Sequence, residues 1–295
     1  MIILHSDDLG ITESSTKDII EAWKNGHISS FSIIANGEAI EKIPSYLSSQ
    51  PGLKARIAVH FNLTEGYPSA NPSEIPLLIG ADGKFNHSFG SLLASIFFAH
   101  PRKRINLRRQ IYQECRAQIR VVRALCADRD LVAIDGHNHI HMIPGIFEVI
   151  ANASKDEKIK QIRISKEPFF KAVFLRDLLK PFWFINLVKH FLLKAFAINA
   201  TKVAARLNLD SPIAFIGLLY SGQMTARSAL LGIRAVKGIG SIEVAFHVGR
   251  SALHEKYRWR HNLYSKFHLS PYREIERKEV RKLSRLLSMK CLSHG

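Results

Sequence analysis

Short apolar runs alternate along the chain with longer segments whose apolar residues recur every three to four positions. Residues 2–4 predict a strand, and residues 16–25 predict a helix with Ile19, Ile20 and Trp23 on one face. A strand-like run at 30–34 ends at Asn36-Gly37, and 38–49 predicts a second helix that Pro44 kinks or restarts. Further strands are expected at 56–59, 131–134, 161–164 and 242–246. Further helices are expected at 107–125, 144–154 and 271–288, the last opened by Ser270 with Pro271 in its first turn. Alternating strands and helices predict a mostly parallel sheet with helical crossovers. The 295 residues suit one α/β barrel. Segments 68–104 and 169–209 interrupt the rhythm and read as insertions without linker composition, so 1–295 is taken as a single domain. Within the second insertion, 182–197 predicts an amphipathic helix. Asn186, Lys189, His190 and Lys194 fall on one side, and Phe184, Ile185, Leu187, Val188, Phe191, Leu192 and Phe196 on the other.

Titratable residues collect where these strands stop. Asp7 and Asp8 follow the first, His60 the third, Asp135, His137, His139 and His141 the run at 131–134, and His247 the last. In a parallel barrel those positions converge on the C-terminal face, where barrel enzymes carry their chemistry. Neighbouring residues on an extended chain point to opposite sides, so one Asp of the pair can ligate a metal while the other stands beside it as a base. The bland reading of the pair is a turn or a helix cap before Gly10. In Asp135-Gly136-His137-Asn138-His139-Ile140-His141, the three histidines share one face if the chain stays extended. Neutral imidazole is a common ligand of divalent metals, and a second His or carboxylate that orients a ligand is equally expected.

Together these motifs resemble the YdjC/ChbG-like carbohydrate deacetylases. Ser6-Asp7-Asp8-Leu9-Gly10 is similar to the family's A-D-D-F-G opening. Asn36-Gly37, His60 to Thr64, Asp135 to Pro144, Arg163-Ile164, Ser221-Gly222 and Glu243 to His247 follow in the family's order, covering roughly 1–285. The resemblance implies an irregular (β/α) TIM-like barrel with one divalent metal ion, Mg²⁺ or Zn²⁺. It implies Asp8, His60 and His137 as ligands, Asp7 as general base and His247 as general acid. Asp135, His139, His141 and Arg163 would orient ligands or face substrate. The implied reaction removes an N-acetyl group from a saccharide or glycoconjugate. Leu9 replaces the family's Phe, Val248 its Pro, and Thr16 its Asn, the last expected to loosen the loop after the first strand.

Composition adds what this chemistry does not explain. Lys and Arg number 42 against 25 Asp and Glu, a net charge of +17. Arg102, Lys103, Arg104, Arg108 and Arg109 form one basic cluster. Residues 256–290 form another, interleaved with Tyr257, Trp259, Tyr264 and Phe267. Solvated helix faces are the plain reading. A peripheral contact with an anionic membrane or glycolipid comes next, and nucleic acid third, because no nucleic-acid motif is present. The apolar face of 182–197 would pack on the core, form a homodimer interface or meet lipid. Three cysteines without paired spacing and an opening without signal-peptide character predict a cytoplasmic protein, membrane-associated at most. The competing functions are a basic membrane- or nucleic-acid-associated binding protein with a degenerate metal site, and a metal hydrolase of another bond on the same barrel.

Overall fold

The computed structural model describes residues 1–126, 129–172, 181–255 and 267–292. Tyr257, Trp259 and Tyr264 of the second basic cluster lie outside the described residues. Seven parallel strands form one sheet, β1 (Ile2–Leu9), β2 (Ser30–Ile33), β3 (Arg56–Phe61), β4 (Leu131–Gly136), β5 (Gln161–Ile162), β6 (Ala214–Ile216) and β7 (Ile242–Phe246). Their order is β5-β4-β3-β2-β1-β7-β6. The helices are α1 (Glu13–Lys24), α2 (Ile43–Ser48), α3 (Phe89–Phe98), α4 (Pro101–Cys126), α5 (Ile146–Asp156), α6 (Pro181–Leu207), α7 (Ala226–Ala235) and α8 (Tyr272–Leu292). β6 has no counterpart among the expected strands. Its three residues are too short for a periodic signal.

The strands alternate although they are parallel. Outward positions such as Phe31, Ile33, Ile57, Val59, Phe61, Val244 and Phe246 are buried in the main apolar core. Inward positions carry His5, Ser30, Ser32, His60, Asp135 and Glu243, all buried and polar. The inward side chains prove that the sheet curls. Arg163, just past β5, meets Asp7 on β1 at 2.9 Å and Glu243 on β7 at 2.5 Å. β5 and β7 are five strands apart, about 24 Å in a flat sheet at the usual strand spacing.

The expected barrel is closed only in part. No strand pair joins β5 to β6 among the described residues. Flanking backbone bridges the gap instead. Ile162 N–H donates to the Asp210 carbonyl at 2.9 Å, Asp210 N–H to Lys160 at 2.9 Å, and Phe215 N–H to Lys166 at 3.0 Å. The result is a curled seven-stranded half-barrel.

The helix expected at 182–197 exists within α6, but its faces are divided differently: Lys189 and Lys194 are exposed and Leu187 and Phe196 pack against the core as expected, while other positions exchange sides. Asn186 and His190 are buried beside Trp183, Leu193 and Ala197, whereas Phe184, Ile185, Val188 and Phe191 are exposed. Buried partners explain the exchange. Asn186 Nδ2 donates to the Leu219 and Ser221 carbonyls at 3.5 and 3.3 Å. His190 Nδ1 lies 3.4 Å from Glu167, whose carboxylate accepts the N–H groups of Gly217, Leu218 and Leu219.

Two sequence features gain a physical reason. A Cβ on Gly37 would sit 2.2 Å from the Gly10 carbonyl oxygen, so Asn36-Gly37 is a close approach of two loops. Thr16 tightens the loop after β1 rather than loosening it, because its Oγ1 accepts from Gly10 N–H at 3.1 Å and donates to the Thr12 carbonyl at 2.6 Å.

Replacing Arg163 by Met should cost about 3–5 kcal/mol, because it leaves buried carboxylates without their counter-charge. Burial alone would raise the Asp7, Asp135 and Glu243 carboxyls; Arg163, together with neighbouring histidines and Arg56, outweighs it and holds them below the ordinary range. Groups lowered in this way stabilise the fold above their unfolded pKa near 4, and that contribution is lost as pH falls through the folded value. The deficit of Arg163→Met, measured by urea unfolding, should therefore be largest near pH 7 and narrow below about pH 4.

Candidate active site

β1 carries both carboxylates of the Asp7-Asp8 pair. On regular strand geometry they would point apart, yet Asp8 Oδ1 lies 3.4 Å from His60 Nε2 and Asp7 keeps an oxygen within 4.8 Å of the same ring. The ladder register breaks between Ser6 and Leu9, and Asp8 takes a left-handed φ of 70°. That conformation costs about 1–3 kcal/mol for a non-glycine residue, with Asp among the types that tolerate it. It turns Asp8 back toward the interior.

Asp8, His60 and His137 form a nearly equilateral triangle. Asp8 Oδ1 lies 3.4 Å from His60 Nε2 and 3.3 Å from His137 Nδ1, and the two ring nitrogens are 3.3 Å apart. Asp8 Oδ2 is held by Arg273 at 2.8 Å, whereas buried Asp8 Oδ1 receives no hydrogen bond. One carboxylate oxygen and two imidazole nitrogens at this spacing match a divalent cation about 2.0–2.2 Å from each. Two other groupings, His5–Asp135–Glu243 and Asp7–His60–Asp135, have comparable spacing. There the Arg163 guanidinium already supplies positive charge.

His60 is oriented from behind. Its Nδ1 donates to Asp135 Oδ1 at 2.6 Å, leaving Nε2 for the Asp8 side. Burial alone would lower the His60 pKa, but the Asp135 and Asp7 carboxylates outweigh it and raise the value to about 10. The negative field responsible is one that also attracts a divalent cation. Burial lowers the pKa of His137, so its ring is neutral near pH 7 and can ligate.

Asp7 sits beside the triangle. Arg163 grips it through Nη2 to Oδ1 at 2.9 Å and Nη1 to Oδ2 at 3.3 Å, and His5 Nε2 is 3.0 Å from Oδ1. Burial opposes its ionisation, but Arg163 and then His60 overcome this and hold its pKa well below the ordinary range. Arg163 itself is only 1 % exposed, so it positions Asp7 and does not face solvent.

The triple-histidine segment is not extended. Residues His137–Met142 form a 3₁₀ turn with Asn138 and His139 at φ 53° and 57°. The turn separates the three rings. His137 joins the triangle. His139 borders the cavity, with Nδ1 2.9 Å from Ser165 Oγ. His141 turns behind the cavity wall, where Nε2 donates to the Arg163 carbonyl at 3.1 Å and burial pushes its pKa down to about 4. A Cβ on Gly136 would come within 2.6 Å of that His141 ring, which accounts for the glycine before His137.

These groups open into a cavity of about 500 Å³, within the usual range for small-molecule sites. Asp7, Asp8, His60 and His137 lie along its floor, and His247 and Phe267 along one side. Ile185, Asn186 and Lys189 of α6 and Ser88 before α3 border the rest, so both insertions reach the site. His247 Nδ1 stands 3.4 Å from the buried Glu276, which also accepts the His247 backbone N–H.

Three participants are not picked out by the sequence. His5 shares the inward face of β1 with Asp7, and period-two alternation could have found it. His268 stacks on His137 with centroids 6.3 Å apart, and Arg273 holds Asp8. Both belong to the basic C-terminal stretch, where a plain charge run gives no signal. The solvated-face reading of that stretch fails at Arg273, which is 1 % exposed.

The sequence matches the family described as YdjC-like protein over residues 1–281. It is 31 % identical over 172 residues to the chitooligosaccharide deacetylase of Escherichia fergusonii, spanning 58 % of this chain and 61 % of that relative. A crystal structure of a candidate cellobiose-phosphate cleavage protein from Enterococcus faecalis superposes with TM-score 0.61 at 20 % identity, covering 96 % of this chain and 94 % of that one.

Purified protein should take up one divalent cation. Changing Asp8, His60 or His137 to Ala should abolish uptake at micromolar metal. Asp135→Asn, which removes no ligand but loosens the His60 ring and the Arg163 contact, should weaken affinity by about 10–100-fold. Metal analysis after equilibrium dialysis checks both, and unchanged uptake in the Asp8 variant would place the cation elsewhere.

Proposed function

The chain belongs to the YdjC-like family, and from that premise we propose that it is a metal-dependent deacetylase of N-acetylated saccharides or glycoconjugates. The observation that carries this reading is the unbonded Asp8 Oδ1 facing two imidazole nitrogens, with a second carboxylate, Asp7, beside it on one cavity floor. The chitooligosaccharide deacetylase named above supports the substrate class through the partial span it shares with this chain. Asp8, His60 and His137 would hold one divalent cation, Mg²⁺ or Zn²⁺, whose Lewis acidity polarises an acyl oxygen and acidifies water.

The chain's own groups divide the remaining work. Asp7 accepts the proton of the attacking water. Arg163 fixes both of its oxygens, so the base cannot rotate away, and its lowered pKa keeps it ionised throughout the neutral range. His247, at the cavity edge with its backbone N–H held by Glu276 and its Nδ1 3.4 Å from that carboxylate, protonates the leaving amine. His139, neutral because burial and then its neighbours His141 and Arg163 disfavour charge, contributes a polar edge for the sugar. The intact triangle argues against a degenerate site. Hydrolysis of another bond on this scaffold is separated from deacetylation by offering ester and phosphate substrates alongside amides.

Acetate release from N-acetylchitooligosaccharides should require added divalent metal and stop with chelator. Asp7→Asn should keep the metal and lose about 10²-fold or more in turnover. Equal loss of metal in Asp7→Asn and Asp8→Asn would show that the two carboxylates do not divide the roles in this way.

A further inference from the structure

α6 presents to solvent the residues a helix normally hides. Phe184, Val188 and Phe191, at i, i+4 and i+7, are each at least half exposed, as is Ile185. Phe169 extends the strip by stacking on Phe191 with centroids 6.3 Å apart and is half exposed itself. No helix among the described residues is long and apolar enough to cross a membrane. The strip is continuous with the cavity, because Ile185 and Lys189 border both.

Charge identifies what such a strip meets. The 27 residues of α6 include Lys189, Lys194, Lys202 and Arg206 and no carboxylate, within a chain of net charge +17. A second copy docked α6 to α6 would gather the lysines of both helices in one interface with no carboxylate on either helix to pair them, which is unfavourable. An anionic bilayer reverses that sign. Bulky apolar side chains enter the interfacial region while lysines meet lipid phosphates.

We propose that α6 and Phe169 form a membrane-docking surface that brings the cavity to N-acetylated sugars carried on an anionic lipid surface. The docking stands on the exposed strip and its charge; the sugar rests on the deacetylase reading. Of this strip only Ile185 lines the cavity, so most of it lies outside the reach of a bound sugar, whereas a lipid-borne sugar reaches the floor only if the rim sits at the bilayer.

Co-sedimentation with vesicles of phosphatidylcholine and phosphatidylglycerol, against phosphatidylcholine alone, tests the docking. The protein should bind the anionic vesicles at low salt and release at about 1 M salt, where screening is nearly complete. The triple variant F184S/V188S/F191S should bind at least about tenfold more weakly, with its far-ultraviolet spectrum and thermal transition reporting the fold. K194E/K202E, on exposed positions, should lose about fivefold for each lysine neutralised and more on reversal. Binding that ignores the apolar variant, or that is equal on neutral vesicles, overturns the proposal. So does a dimer that the triple variant converts to monomer without changing vesicle binding. Acetate release from a lipid-anchored N-acetylglucosamine in anionic vesicles should exceed release from the soluble oligosaccharide. Vesicle binding with no acetate from either substrate removes the deacetylase reading and leaves the docking intact. Acetate from the soluble sugar with no vesicle binding removes the docking alone.

Discussion

One guanidinium organises the interior. Arg163 leaves the end of β5 and meets Asp7, Asp135 and Glu243, carboxylates from β1, β4 and β7. A buried ion pair is weak evidence of stability, because desolvation offsets much of the attraction. Its greater consequence here is geometric. These carboxylates approach one arginine only if the sheet curls, and Arg56 adds a second tie by bridging Gln161 on β5 and Glu243 on β7. The outward faces then wrap the curled sheet in helices, and the inward faces become a polar shaft whose open end is the site. An apolar interior of equal volume would hold the sheet, but it would not aim Asp7.

The site uses two neighbouring carboxylates for two electrostatic tasks, and their environments keep those tasks apart. Asp7 has both oxygens engaged by Arg163, so its charge is satisfied and its position fixed. Asp8 has Oδ2 engaged by Arg273 and Oδ1 left bare toward two imidazoles. Desolvating a carboxylate oxygen without a donor is costly unless something positive compensates it. The left-handed turn at Asp8 adds a further cost. Strain and desolvation concentrated at one residue, in a pocket rimmed by histidines, is the pattern expected where a cation is to be received.

Much of this was legible in the chain because strand ends are easy to see. The apolar runs located six of the seven strands, and the residues that terminate them include five of those around the cavity floor and its edge: Asp7, Asp8, His60, His137 and His247. What stayed hidden was conformational or remote. Period-two spacing placed His137, His139 and His141 on one face, but left-handed backbone at Asn138 and His139 sends them to three different places. Sequence periodicity assumes a regular backbone, and a site is where that assumption fails. His268 and Arg273 reach Asp8 from more than 250 positions away, from a stretch whose charge pattern looks like an ordinary wet helix. The closed barrel also exceeded what the strands show, since β5 and β6 are short and meet through flanking loops.

α6 shows why apolar periodicity alone misassigns a helix. By apolar content its Phe184–Val188–Phe191 side should be inside. The competing side offers Asn186, which donates to two carbonyls in the 219–221 loop, and His190, whose ring lies 3.4 Å from the Glu167 carboxylate that already gathers three backbone N–H groups. Small residues, Ala197 and Ala200, then let the helix lie close against the body. Leaving the large apolar side chains in water costs hydrophobic stabilisation of about 25 cal/mol per Å² of surface that could have been buried. A helix that accepts this loss within its own fold, beside the mouth of a cavity whose wall it forms, has its apolar face oriented for something outside the chain.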